Sequence, residues 1–467
     1  MPLRPTAGLS LALAVLPLAA CAGPLNLPRA AATPTHMAAH QLCSAVFVAG
    51  LEPERYYREA VATNVAPVKA FLSHHVDREH GEVTASFAGM IRSRAIYRGE
   101  TGCVVVQGKL PPAPRIDTPR PAPLLAPIAG SDVVAPADPR LAAALDHAFA
   151  EADKAPHRYT KAVVVVRDGR VIAERYAPGY GPQTPIHGWS MTKSVTSTLV
   201  GILVRQGRLT VDQPAPVPEW QAPADPRRAI TVANLLHMQS GLDVGDSLTI
   251  GLKDAVSPSS QVLFAEPDMG AFIAKYPLSA TPGSRFTYAN GDTLLLSRIV
   301  RDKVGGDGQA VLRFAHAELF DKLGLEHAVL EQDAAGTPIG SSHMWASARD
   351  WARLGLLWMD DGVVGGERIL PEGWIYYSTR LTPGSERFGY GAQFWTNRGA
   401  SAGARNRPHM PPDSFMARGA HGQYTIVVPS KRLVVVRLGD AYTALDDIAA
   451  VDRLVGEVIA ATDAPAA

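Results

Sequence analysis

The strongest constraint on the fold is a pair of apolar hairpins placed far apart in the chain. Ala162 to Val166 and Val171 to Tyr176 flank Asp168-Gly169, a strong hairpin signal. Tyr424 to Val428 and Leu433 to Leu438 flank Pro429-Ser430 near the other end, and a helix from about Leu445 to Ala461 closes the chain. The expected architecture is α/β (α+β), with an antiparallel sheet built from the two ends of one region. The segment between them, rich in helix and loop signals, would form an all-helical lobe that walls a cleft. With 467 residues, 46% hydrophobic and 19% charged, the chain is long enough for one large domain plus an extra segment. A net charge of +1 shows no preference for nucleic acid or an acidic surface, so no nucleic-acid partner is expected.

The first 21 residues read as a lipoprotein signal. Arg4 precedes the apolar run Leu9 to Leu18, and Leu18-Ala19-Ala20-Cys21 offers small residues before a cysteine, with the cut before Cys21. The run is too short to stay as a membrane-spanning helix. By analogy with lipoproteins, Cys21 would carry acyl chains, since stable anchoring needs more than one. This reading places the protein in the periplasm, lipid-anchored to a membrane, and Ala22 fits outer-membrane sorting in a Gram-negative cell. A plain secretory signal with a coincidental cysteine is the other reading.

Setting Cys21 aside leaves Cys43 and Cys103 in an N-terminal segment, residues 22–110. In an oxidising compartment an even remainder suggests a disulfide, the alternative being two buried free thiols. Alternation in Ser44-Ala45-Val46-Phe47-Val48 and Gly102-Cys103-Val104-Val105-Val106 suggests short strands, with a helical stretch between them. His74, His75, Asp77 and His80 cluster but match no zinc spacing, so a solvated loop and no metal are expected. Residues 111–140 read as a linker, with nine prolines between Pro111 and Pro139, although proline-rich strands can also wrap a surface. Residues 141–463 hold the catalytic region.

That region carries the only SxxK in the chain, Ser190-Met191-Thr192-Lys193, and the only YxN, Tyr288-Ala289-Asn290. A serine hydroxyl is a poor nucleophile at neutral pH and needs a proton acceptor within hydrogen-bond reach. Lysine or tyrosine can serve. From Ser190 to Gln206 there is no proline, Val195, Leu199, Ile202 and Leu203 recur at helical spacing, and Gly207 suits the C-terminal cap. If Ser190 opens this helix, Ser190 and Lys193 share a face. Burial would disfavour the Lys193 ammonium, as a general base requires.

Three stretches carry a resemblance. Trp189 to Ser194, Ile230 to Leu242 and Pro282 to Asp292 are similar to the penicillin-recognising serine hydrolases. That superfamily includes class C β-lactamases, DD-peptidases, family VIII esterases and 6-aminohexanoate-dimer hydrolases. Tyr390 to Trp395 and Gly419 to Tyr424 most resemble the last group, and the likeness covers about residues 145 to 460. It implies a β-lactamase/DD-peptidase-like fold with a small N-terminal extension. It also implies Ser190 as acyl-accepting nucleophile, Lys193 as its activator, Tyr288 as proton relay to the leaving group, and Asn290 holding substrate or the lysine amine.

One motif departs from the family. Where Lys-Thr-Gly is usual, this chain has Ala420-His421-Gly422, followed by Gln423. Alanine cannot bind a substrate carboxylate, which weakens a β-lactamase reading. The backbone N–H groups of Ser190 and Gln423 are the expected oxyanion hole. His421 either touches substrate, orients Tyr288, or is a structural strand-end histidine. Tyr390 and Trp395 are candidate pocket walls, Trp351 and Trp358 core residues, and Asp243 a turn residue or a contact for a substrate amine.

The expectation is a metal-independent, cofactor-free serine hydrolase acting through an acyl-enzyme on a small-molecule ester or linear amide. No oligomeric state is read from the sequence. The alternatives are a DD-peptidase or β-lactamase, and a non-catalytic penicillin-recognising binding protein. An α/β-hydrolase is disfavoured, because Gly188-Trp189-Ser190-Met191-Thr192 lacks the second glycine of a nucleophile elbow.

Overall fold

The computed structural model describes residues 27–66, 68–247, 258–398 and 407–463. The signal segment and Cys21 lie outside them. Six antiparallel strands form the central sheet: β5 (Thr160–Arg167), β6 (Arg170–Tyr176), β7 (Trp395–Thr396), β8 (Phe415–Gly419), β9 (Gln423–Val428) and β10 (Leu433–Gly439). Their order is β7-β8-β9-β10-β5-β6, so the late hairpin docks directly on the early one, with Val435 opposite Val165. The sheet is thus built from the two ends of the catalytic region.

Both faces of the sheet are covered, which explains why its strands read as continuous apolar runs. Val163 and Val165 point into a core shared with helix α2 (Pro139–Phe149) and the closing helix α6 (Ile448–Asp463). Ala162, Val164 and Val166 point into a larger core on the other face, with α3 (Thr192–Arg205), α4 (Asn290–Val304) and α5 (Ala348–Met359). Trp351 and Trp358 of α5 are fully buried there, as their helical spacing requires.

The N-terminal segment differs from its expected form. Helix α1 (Leu27–Cys43) lies across a separate antiparallel sheet of β1 (Leu72–Asp77), β2 (Glu82–Phe87), β3 (Ile91–Tyr97) and β4 (Cys103–Val105). Cys43 and Cys103 are joined by a disulfide, with Cα atoms 6.1 Å apart. Ser44 to Val48 continue the helix as one wide turn instead of forming a strand. Local β preference loses here to burial, because Ala45 and Val46 are packed away from solvent in that helical turn. Between the cysteines, helical turns over residues 53–64 are followed by the three strands that sequence reasoning did not anticipate. His74, His75 and Asp77 lie on β1, not in a loop; His74 bonds Glu54, and His80 bonds Asp77.

The proline-rich stretch lies against the catalytic region as an extended strap. Ile128 is buried in the main core, and the carbonyls of Ile128 and Val134 accept the Val171 and Glu174 N–H groups at 2.9 Å each. These are edge-strand donors of β6, so the strap covers an edge that would otherwise be open.

Candidate active site

The turn that presents Ser190 is tightly constrained. Residues 189–191 form a single 3-10 turn that leads into α3, so Ser190 precedes the helix instead of opening it. Trp189 has φ +47°, a left-handed conformation that costs a large side chain energy and marks stored backbone strain. Its ring packs 4.4 Å from His187 and 5.4 Å from His421, while its carbonyl accepts the Thr192 hydroxyl at 2.7 Å. Gly419, at the end of β8, touches this turn directly: a Cβ there would stand 2.2 Å from the Gly188 carbonyl oxygen. Only glycine lets the strand come so close.

Lys193, one turn into α3, is 1% exposed. Its Nζ lies 3.1 Å from Ser190 Oγ, 2.7 Å from Asn290 Oδ1 and 2.8 Å from the Ser341 carbonyl oxygen. Burial pulls its ammonium down from the ordinary lysine value to about 7. The Tyr288 ring centre is 5.0 Å from the same nitrogen. Ser190, Lys193, Tyr288 and Asn290, separated by up to a hundred residues of chain, therefore occupy one small volume.

The supporting residues explain how that volume is held. Tyr288 is 4% exposed and packs edge-on to Tyr390 at 5.4 Å and against Trp395 at 5.5 Å. Tyr390 and Trp395 are thus buried braces of the phenol ring and do not line an open pocket. Asn290 is the first residue of α4, and Asp292 two positions on accepts the Ser240 hydroxyl at 2.7 Å. That bond ties the Ser240-Gly241-Leu242 turn to the helix carrying Asn290. Burial raises the Asp292 carboxyl to about 7, against the pull of the Ser240 hydrogen bond. Gln393, at φ +67°, accepts Ser194 Oγ on its carbonyl and Thr293 Oγ1 on its side chain, and donates to Leu235 and Leu236 carbonyls. It links α3, α4 and the Val232–Leu236 helix.

The third-motif residues sit beside the serine turn. Ala420 to Gly422 form a kinked turn before β9, with His421 at φ +62°. The His421 ring stands between Trp189 and Tyr442, 4.8 Å from the latter. Gln423 pairs with Gly419 across β8 and β9. Its side chain is tied to the backbone of Ala420, His421 and Gly439, and it accepts the Gly439 N–H at 3.0 Å. Arg437 is buried behind the turn, donating to the Gly422 carbonyl at 2.8 Å. Asp243 lies in an exposed bend, its N–H bonded to the Pro277 carbonyl.

Residues 145–455, more than half of the chain, match the β-lactamase family. This chain belongs to that family. Over 235 residues it is 28% identical to the 6-aminohexanoate-dimer hydrolase of Paenarthrobacter ureafaciens, covering 46% of this chain and 56% of that one. The chain therefore spans little more than half the length of that relative. A penicillin-binding protein homologue from Caulobacter crescentus has the same fold, with a TM-score of 0.53 at 19% identity over 71% of this chain and 99% of that one. A family VIII carboxylesterase gives 0.52 at 16% identity over 69% and 99%. The protein thus has the β-lactamase-related fold, with an antiparallel sheet. A Gly-x-Ser-x-Gly pattern does occur at Gly399 to Gly403, outside the described residues, but an α/β-hydrolase needs a mainly parallel sheet.

Three contributors escaped sequence reasoning: the Ser341 carbonyl, the Gln393 hub and the strained Trp189. Gln393 stood inside a stretch already singled out, so its polar side chain between Ala392 and Phe394 was the available signal. Ser341 had none, because it acts through its backbone.

Proposed function

We propose that this protein cleaves esters or linear amides through an acyl-enzyme on Ser190. The observation that carries the reading is the coordination of Lys193 Nζ. Two of its three neighbours, Asn290 Oδ1 and the Ser341 carbonyl, can only accept hydrogen bonds. A neutral amine has two N–H donors and one lone pair. With both donors engaged, the lone pair is left for the third neighbour, Ser190 Oγ. A lysine held at about 7 is substantially neutral at physiological pH, so it can receive the serine proton.

In the proposed cycle Ser190 Oγ attacks the substrate carbonyl carbon as its proton passes to Lys193. Negative charge on the carbonyl oxygen meets the backbone N–H groups of Ser190 and Gln423, whose segments are brought together by the Gly419 contact. Tyr288 relays the proton to the departing alkoxide or amine. Water, deprotonated by the same pair, then hydrolyses the ester on Ser190 and returns the proton to its oxygen.

Substrate class follows from what the third motif lacks. Ala420 brings no cation to the serine, and Arg437 is spent on backbone carbonyls, so recognition of a carboxylate as in β-lactams is disfavoured. Linear amides resembling the substrate named for the Paenarthrobacter relative, and simple esters, fit better. The test is a side-by-side assay of p-nitrophenyl esters, aminohexanoate dimers, D-alanyl peptides and nitrocefin. Turnover of esters or linear amides, abolished in Ser190→Ala, is the expected result. Labelling of Ser190 by penicillin or a fluorophosphonate without turnover of any ester or amide would instead favour a binding protein. We also read Cys21 as the lipid-bearing residue of a periplasmic lipoprotein, which metabolic labelling with a fatty acid and a Cys21→Ser control would test.

A further inference from the structure

We propose that the end of the N-terminal sheet carrying Phe71, Phe87 and Met90 is a membrane-docking tip that seats on an anionic lipid surface. Met90 is 79% exposed and Phe71 60% exposed, at adjoining ends of the small sheet. The Ala88 N–H bonds the Phe71 carbonyl at 2.7 Å, Phe87 pairs with both Leu72 and Ile91, and the Phe71 and Phe87 rings lie 5.8 Å apart. Exposed apolar side chains that cluster, as these do, mark interaction surfaces. In residues 68–72 and 86–92 the only charged side chains are Lys69 and Arg92, both exposed, with no aspartate or glutamate. Apolar side chains rimmed by cations are the composition that binds anionic headgroups while inserting into the acyl boundary.

The direction of α1 supplies the second argument. Thr35 Oγ1 lies 2.6 Å from Ser93 Oγ, and Cys43 is bridged to Cys103, which stands opposite Tyr97. Helix α1 therefore runs alongside β3 in the same direction. Eight residues back from Thr35, about 12 Å along a helix, bring Leu27 to the level of Met90, about 10 Å along the strand from Ser93. The chain thus emerges at the tip. Cys21 is six residues before Leu27, a span of at most about 20 Å. A lipid on Cys21 would keep this face within reach of the bilayer. Among the described residues no helix is long and apolar enough to cross a membrane, so contact at the tip would be peripheral.

The lipid geometry rests on the Cys21 reading, whereas the tip can be tested without it. The chain from Ala22 onward contains every described residue and no lipid. Sedimented with vesicles of phosphatidylethanolamine and phosphatidylglycerol, it is expected to bind, and more weakly to phosphatidylcholine alone. The double variant Phe71→Ser, Met90→Ser should lower the partition coefficient by about tenfold or more, from lost apolar burial. Lys69→Glu with Arg92→Glu should erase the preference for phosphatidylglycerol. Ester hydrolysis and melting temperature should be unchanged in both, which separates a docking defect from misfolding. Absence of vesicle binding by the wild type, or equal binding by the variants, overturns the proposal. So does a dimer, seen by light scattering, that the Phe71 and Met90 substitutions dissolve without any effect on vesicles, which would make the tip a self-association face.

Discussion

Two buried lysines in this protein are both drawn down by burial and differ in whether a carboxylate opposes it. Lys193 and Lys161 are 1% and 2% exposed, and each lies near tyrosine rings, Tyr288 at 5.0 Å for the first and Tyr159 and Tyr180 at 5.3 Å for the second. Lys161, on β5, contacts the Glu59 carboxylate, and burial draws it down only to about 8 while Asp440 holds it up. Lys193 meets neutral oxygens in its hydrogen bonds and falls to about 7. Burial lowers both, and a carboxylate opposes it only at Lys161. The lysine without that opposition is the one beside a serine, where the proposed base belongs.

The comparison breaks most visibly in activity. Ser190→Ala should lower kcat by about 10⁶-fold, and Lys193→Ala by about 10²–10⁴-fold, both read by p-nitrophenyl ester hydrolysis with folding checked by circular dichroism. Near-normal turnover in Lys193→Ala would remove the distinction between the two lysines. Tyr288→Phe, which keeps the ring packing against Tyr390 and Trp395 but removes the phenol oxygen, should cost about 10²-fold, seen most clearly with poor leaving groups.

Lys161→Met should do the reverse. It leaves kcat/KM within a few-fold but removes the buried cation facing Glu59 and Asp440, leaving Glu59 to Arg55 alone, and destabilises the fold by about 2–3 kcal/mol in urea unfolding. A catalytic loss with unchanged stability would show that Lys161 has been assigned to the wrong class.

The smallest effect is in pH. Lys193 must be neutral to accept a proton, so kcat/KM should rise with pH through about 7. Stability follows the same sign. The folded-state value is depressed below the ordinary lysine value of 10.5, so above about 7 the unfolded chain binds more protons than the folded one, and stability rises with pH until 10.5. Lys161 adds the same trend only from about 8. Between pH 7 and 8, then, the melting temperature of the wild type should climb more steeply than that of Lys193→Met. Equal slopes would mean that Lys193 is not depressed.

Sequence reading reached the parts of this molecule where short-range chemistry decides the outcome. The sheet was legible because Asp168-Gly169 and Pro429-Ser430 punctuate runs whose length and β-branching leave little choice. Helical spacing put Ser190 and Lys193 on one face, whereas their meeting with Tyr288 and Asn290 could be anticipated only from the family resemblance that the two motifs carry. Legibility failed where distant packing overrules local preference. Ser44 to Val48 look like a strand but continue a helix, held by Ser44 Oγ, which lies 3.1 Å from the His40 carbonyl oxygen and 2.6 Å from Glu331 Oε1. The left-handed Trp189 was illegible for a similar reason, since Gly419 and the His421 ring pack on it from the far end of the chain.

One contact carries an evolutionary consequence. The oxygen of residue 341 that receives a proton donor of Lys193 belongs to the main chain, so every amino acid placed there would still offer it. The Ser341 side chain is itself fully buried, so the substitutions that preserve the contact are small ones that leave the path of the polypeptide unchanged. Within that set the carbonyl keeps its place whatever the side chain, and only a change that shifts the main chain removes it.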